Sequence, residues 1–194
     1  PAFSPDGKTI AFLSKRGKDK QAQIWLLDRR GGEAQKLTDV KGDIAAFRWS
    51  PDSRRLLLTL SDPAPEPPKD DAERPLPVVV DDVKFKDDGQ GFITAASHTH
   101  LALFDVAART ETRLTASDSF DVIAAEWSPD GKSVAYLANH GIDPAAPATQ
   151  WLTVVEAKAG AAPRVVAKLP GALGQSLIWS ADGAKIAQLV GDVP

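Results

Sequence analysis

The side chains able to do chemistry in this sequence are three histidines and a run of carboxylates. His98 and His100 stand two residues apart, so on a strand they share one face. His140 falls in the corresponding loop of a later unit. Imidazole is a common metal ligand and carries protons near neutral pH. No nearby carboxylate is arranged to orient the rings, as a metal site requires. Two exposed loop histidines and one at a strand start are therefore the simpler reading, and no cofactor is expected. Residues 61–91 hold nine acidic and four basic side chains, a local charge of −5. Within them Asp81-Asp82 and Asp87-Asp88 are adjacent pairs able to grip an ammonium group in a partly dry cavity. A solvated charge run is the plainer alternative. Lys84, Phe85, Lys86, Asp88 and Phe92, with His98 and His100, are candidates for a substrate opening or a domain contact. Asp6, Asp52, Asp130 and Asp182 recur one per unit, whereas general acid–base chemistry needs groups converging in one pocket. They read as turn formers.

Composition narrows the field. The chain has 194 residues, no Cys and no Met. Without Cys there are no disulfides, no thiolate nucleophile and no zinc–thiolate site. That fits a reducing, cytoplasmic setting. A net charge of −3 is too balanced for a dedicated nucleic-acid binder. No apolar run approaches the roughly 18–20 residues of a membrane span. A sequence that starts Pro1-Ala2-Phe3 without Met is expected to be trimmed from something longer.

The elements that must position these residues repeat. Phe3-Ser4-Pro5-Asp6-Gly7-Lys8 returns as Trp49-Ser50-Pro51-Asp52-Ser53-Arg54 and as Trp127-Ser128-Pro129-Asp130-Gly131-Lys132. A weaker copy is Trp179-Ser180-Ala181-Asp182-Gly183-Ala184. The anchors lie 46, 78 and 52 residues apart. Two of these spacings suit a four-stranded propeller blade of about 40–50 residues, and the longest implies an insertion. Ser-Pro-Asp-Gly is turn chemistry: Pro presets φ, Asp bonds the backbone ahead and Gly accepts positive φ. Each motif is followed by a short apolar run, such as Leu56-Leu57-Leu58-Thr59-Leu60 or Val134-Ala135-Tyr136-Leu137. Such runs suit strands buried on both faces. Trp25, Trp49, Trp127 and Trp179 sit at repeat-equivalent strand positions and Trp151 begins another strand, which reads as core packing and not as a stacking platform for bases or sugars.

The expected fold is all-β, a propeller fragment of about three and a half four-stranded blades, where a closed propeller needs four to eight. Blade 1 covers about 1–40 and is incomplete. Blade 2 covers about 43–115 with an insertion over 61–99. Blade 3 covers about 121–167, and blade 4, about 173–194, is also incomplete. In the insertion, Val78-Val79-Val80 and Phe92-Ile93-Thr94 are expected to pair as a hairpin around Lys84–Gly89. Open blade faces predict self-association, with two copies closing a pseudo-ring.

The Trp-Ser-Pro-Asp-Gly-Lys units resemble the PD40-type propeller repeats of the TolB, tricorn-protease and prolyl-oligopeptidase groups. The stretch from Arg74 through Val78-Val79-Val80-Asp81-Asp82-Val83-Lys84-Phe85-Lys86-Asp87-Asp88-Gly89 to Phe92, followed by His100-Leu101 and Asp105, is similar to the inserted loop of acylaminoacyl-peptidase-like members of the prolyl oligopeptidase (S9) family. The resemblance covers most of the chain. It implies an N-terminal propeller, seven-bladed in the parent, that gates peptide substrates over an alpha/beta-hydrolase domain carrying a Ser-Asp-His triad. No Gly-x-Ser-x-Gly elbow is present in the chain. Gly174-Gln175-Ser176-Leu177-Ile178 lacks the closing Gly, so no catalytic residue is assigned and the fragment is expected to be inactive. The alternative is a TolB-like scaffold that binds protein partners, and a free-standing ligand-binding propeller is a third reading.

Overall fold

The computed structural model describes residues 1–17, 19–62, 86–87, 91–92, 98–116, 120–140, 149–170 and 176–189. Among these every regular element is a strand. In chain order, β1 (Ala2–Phe3), β2 (Thr9–Ser14), β3 (Gln23–Asp28) and β4 (Gln35–Lys36) form an antiparallel meander. Next come β5 (Asp43–Trp49) and β6 (Arg55–Ser61), then a separate pair, β7 (Lys86–Asp87) with β8 (Gly91–Phe92). β9 (Thr99–Asp105) and β10 (Thr110–Arg113) rejoin β6 to complete the second sheet. The third sheet is β11 (Phe120–Trp127), β12 (Ser133–His140), β13 (Thr149–Glu156) and β14 (Arg164–Pro170). β15 (Ser176–Trp179) and β16 (Ile186–Leu189) form a two-stranded sheet. This is the all-β, bladed architecture that the repeat implies.

The insertion differs from expectation. Lys86 pairs with Phe92 and Asp87 with Gly91, so two residues expected in the turn are strand. The pairing of Asp87 with Gly91 puts the reversal after Asp87, later in the chain than expected. Residues 78–80 lie outside the described residues.

The sheets pack face to face, because the middle strands carry apolar side chains on both sides. On β6, Leu56, Leu58 and Leu60 point into a core shared with Ala11 and Ile24 of the first sheet, while Leu57 points to Leu101, Trp127 and Tyr136. A third core joins Leu137 and Leu152 to Leu177 and Trp179. Each fully buried leucine contributes about 1.5–3 kcal/mol of transfer free energy. A one-residue slip would reverse every side chain, so register must be fixed, and the turn motif fixes it.

Ser128 Oγ donates to Asp130 Oδ1 at 2.7 Å and accepts from Ser133 N at 2.9 Å, while Asp130 Oδ1 also accepts from Lys132 N at 3.0 Å. The same bonds recur around Ser4 and Asp6, Ser50 and Asp52, and Ser180 and Asp182. The fourth motif position needs positive φ: Gly131 stands at 68° and Gly183 at 70°. Ser53 takes this place in the second copy at 61°, an uncommon conformation for a side chain other than Asn or Asp. Its hydroxyl accepts from Asp6 N at 3.1 Å, a bond between neighbouring blades that Gly cannot make.

The motif aromatics register one blade on the next. Trp49 Nε1 donates to the Ala2 carbonyl, Trp127 Nε1 to that of Arg48 and Trp179 Nε1 to that of Glu126, each at 3.3 Å. Every acceptor is the residue just before the preceding motif aromatic. Trp25 is different. It lies half-buried on the outward face of the first sheet with the Arg16 guanidinium 5.0 Å from its ring centre.

Two predictions follow from the turn. Ser128→Ala removes both the donated and the accepted hydrogen bond of a buried hydroxyl and should lower stability by about 1–3 kcal/mol, whereas Ser180→Ala, in a more exposed copy, should cost less. Urea melts of the two variants check this order. The serine hydroxyls lower the carboxyls of Asp6, Asp52, Asp130 and Asp182 below the usual 3.8. A depressed carboxyl stabilises the fold above its unfolded value and loses that contribution as pH falls through the folded one. The melting temperature should therefore respond little to these groups from pH 7 to 5 and fall below about pH 4. The fall should be shallower in Asp130→Asn.

Candidate functional site

Two features stand near the inserted segment. The first is a groove of about 520 Å³ along the innermost strands β5, β11 and β15. Small residues floor it: Ala45, Ala46, Ala124 and Ala125. β5 and β11 both bulge here, between Ile44 and Ala46 and between Val122 and Ala124. A bulge interrupts the ladder and re-aims the strand. One ion pair crosses the groove, Arg48 Nε to Glu126 Oε2 at 3.5 Å, and Thr99 and Ser176 add hydroxyls. Such a wall can hold an extended chain but carries no assembled nucleophile, base and oxyanion donor.

The second feature clasps the roots of the insertion. Asp62 N donates to the His98 carbonyl at 3.0 Å, which closes the neck. The Asp62 carboxylate receives His100 Nε2 at 3.0 Å and Arg113 Nη2 at 3.1 Å. Because a carboxylate only accepts, Nε2 carries the proton. Burial raises the Asp62 carboxyl, but the bonds from Arg113 and His100 outweigh it and hold it below the usual 3.8. The neighbouring blade joins through Asp121, which accepts from Thr99 N at 2.8 Å and lies 3.3 Å from His98 Nδ1. That second contact is close enough for an ion pair with a protonated ring but lacks hydrogen-bond geometry.

These positions correct the reading of the histidines. His100 is the second residue of β9, in line with a strand-start histidine, but is 2% exposed. His98, just ahead of β9, is largely covered and not exposed. Contrary to expectation, carboxylates do stand against both rings, Asp62 against His100 and Asp121 against His98. His140 is the last residue of β12, opposite Phe120, not a loop residue. The side-chain rings of His98 and His100 stand 6.4 Å apart, and among the described residues no three His, Cys, Asp or Glu side chains are grouped to hold a metal. Asp62, Arg113 and Asp121 were not singled out from sequence. Their partners are 22 to 51 positions away, and no local spacing signals them.

Lys84, Phe85, Asp88, Asp81 and Asp82 lie outside the described residues. Lys86, Asp87 and Phe92 are placed only as strand positions of the small hairpin. Asp6, Asp52, Asp130 and Asp182 each serve their own turn and do not converge. Ser176 opens β15, paired with Leu189 in a strand hairpin, and a nucleophile elbow needs a strand-to-helix turn.

No protein-family model matches the chain. An uncharacterized peptidase, YuxL of Bacillus subtilis (strain 168), is 36% identical over 143 residues, which is 72% of this chain and 21% of that protein. An acylaminoacyl peptidase solved with Z-Gly-Gly-Phe-chloromethyl ketone aligns over 96% of the chain and 27% of its own length, at 25% identity and a TM-score of 0.60. The chain is an S9-peptidase-like propeller segment. TolB from Acinetobacter baumannii shares the fold at a TM-score of 0.57 and 23% identity, with 97% of the segment and 36% of that chain aligned. The segment thus spans about a fifth of the length of its curated relative.

If the clasp holds this end of the second blade, Asp62→Ala should lower stability by about 1–2 kcal/mol, the loss of two charge-assisted bonds at a partly exposed carboxylate. Amide exchange at Thr99–Leu101 should accelerate in the same variant. Unchanged exchange there would remove the clasp's assigned role.

Proposed function

We propose that this segment is the substrate-gating propeller of a serine peptidase that hydrolyses short peptides in the cytoplasm, with catalysis supplied by an alpha/beta-hydrolase domain of the same parent chain. The observation that carries this reading is the 36% identity to a peptidase over 143 residues. The chemistry of the segment supports a binding role. Among the described residues its motif carboxylates are engaged in turns, Asp62, His100 and Arg113 are engaged in the clasp, and its groove is walled by small residues and bulged strands. A narrow wall of that kind accepts an extended peptide and turns away a folded protein. The inserted segment, with Lys84, Phe85 and Lys86, contacts the hydrolase domain or lines the opening.

A TolB-like scaffold without hydrolysis is the competing reading, and the fold likeness to TolB favours it only at the level of architecture. The two part at one experiment. The full gene product should label with a fluorophosphonate and cleave N-acetyl-alanyl p-nitroanilide, and the 194-residue segment alone should do neither. A gene product that encodes no Gly-x-Ser-x-Gly domain and does not label would discard the peptidase reading. Labelling of the segment alone, lost in Ser176→Ala, would overturn its non-catalytic role.

A further inference from the structure

The repeat gives each blade junction the same pair of places to fill, and one junction leaves them underfilled. The first place lies ten residues after a motif aromatic, on the second strand of its blade. The second lies two residues before the motif aromatic of the next blade, on its innermost strand. Between the first and second blades these places hold Leu13 and Phe47, and between the third and fourth they hold Leu137 and Leu177. Phe47, Leu137 and Leu177 are buried in their cores. Between the second and third blades the pair is Thr59 and Ala125. Two large apolar side chains give way to two small ones, and both are only half-buried.

The space so left opens on the groove. Thr59 and Ala125 line it together with Leu57, Thr99 and Val122. Thr59 shares with Leu57 the face of β6 that meets the third blade, and the pairing of Ser61 with Thr99 puts Thr99 on that face too. The groove therefore has a side slot, set between two complete four-stranded sheets and next to the β11 bulge. Leu57 and Val122, both buried, close its inner end. Its five walls are all uncharged. Protein interiors leave few voids larger than a water molecule, so a junction short of two side chains and open on one side is built to be completed from the groove. β5 and β11 are also sheet edges. Their inner sides offer backbone groups outside the ladders, to which an extended chain can add as a further strand.

We infer that this slot is a side-chain subsite for peptides: an extended chain lies along the inner edges of β5 and β11 and sends one apolar side chain between the second and third blades. The inference rests on reading the groove as a wall for peptides. The guest takes the place that Phe47 and Leu177 fill at the other two junctions, so a leucine or phenylalanine side chain suits it. A carboxylate or ammonium would lose water there and meet no opposite charge among the lining residues, which disfavours charged side chains. The slot thus adds a preference for one residue type to a groove that otherwise fits only an extended backbone.

The test uses the full gene product, treated first with a fluorophosphonate so that no peptide is cleaved. The probe is acetyl-Ala-Ala-X-Ala-Ala-amide with photo-leucine, the diazirine analogue of leucine, at X. On irradiation the label should map by mass spectrometry to β6 or β11. The X = Leu peptide should suppress labelling about tenfold better than the X = Asp peptide, the worth of burying one leucine side chain. The double variant Thr59→Leu, Ala125→Leu rebuilds the pair of the next junction. It should melt at the same or a higher temperature, as cavity-filling changes do, and lose about tenfold in labelling. Ala125→Leu alone adds a single side chain and should lose part of the labelling, which gives a reading independent of the double variant's folding. Labelling that maps elsewhere, equal competition by the two peptides, or labelling that survives in both variants would overturn the inference. So would an unlabelled wild-type protein, whose slot its own chain must then cover. Labelling needs no hydrolysis, so this outcome is read separately from the loss of the peptidase reading.

Discussion

The hydroxyl of the motif serine is the constraint on which the blades depend. In one position it stabilises the Asp carboxylate two residues on and receives the backbone N–H five residues on. That closes the hairpin between the first and second strands in a single register. β6 and β12 are apolar on both faces, so hydrophobicity alone would not choose between registers for them. A polar turn with one geometry does. Once the hairpin is set, the aromatic just ahead of the serine is aimed at the neighbouring sheet, and its indole finds the carbonyl waiting there. The local turn and the long-range stacking are one device used in successive blades.

Much of this was readable from local chemistry. Ser-Pro-Asp-Gly declares its turn, the apolar run after it declares a doubly buried strand, and their spacing declares the blade. Ser53 shows where that legibility ends. A Ser in the Gly position looks like drift, yet it sits at positive φ and bonds Asp6 of the adjacent blade, 47 positions away. The clasp of Asp62, His100, Arg113 and Asp121 was hidden for the same reason. Its members come from four strands or strand ends, and each alone resembles an ordinary surface residue. His98 and His100 were noticed for their types and read as ordinary loop and strand-start histidines with no carboxylate beside them, whereas the fold buries them and sets Asp62 and Asp121 against their rings.

Catalytic chemistry requires unsatisfied groups converging in one place, and in the described part of this chain the motif carboxylates and the Asp62 clasp are bonded within themselves, although Nδ1 of His98 and of His100 and Oε1 of Gln188 have no hydrogen-bond partner. The motif carboxylates are bonded to hydroxyls and amides. The buried imidazole of His100 is tied to Asp62, and the groove-side charges Arg48 and Glu126 pair with each other. What remains open is backbone, small side chains and strand bulges along the inner wall. Those features fit the shape of an extended chain and select no particular functional group.

The blade faces impose a further economy. A sheet apolar on both sides must be covered on both, and an outermost sheet cannot be unless something is laid over it. The first sheet answers with arginines: Arg16 spreads over Phe12 and Trp25, and Arg29 over Phe3. A guanidinium on a flexible stem covers aromatic surface while staying hydrated, so the cover is soluble yet removable. Cover of this kind does for the outward face of the first sheet what the apolar strands of a neighbouring blade do for the second and third.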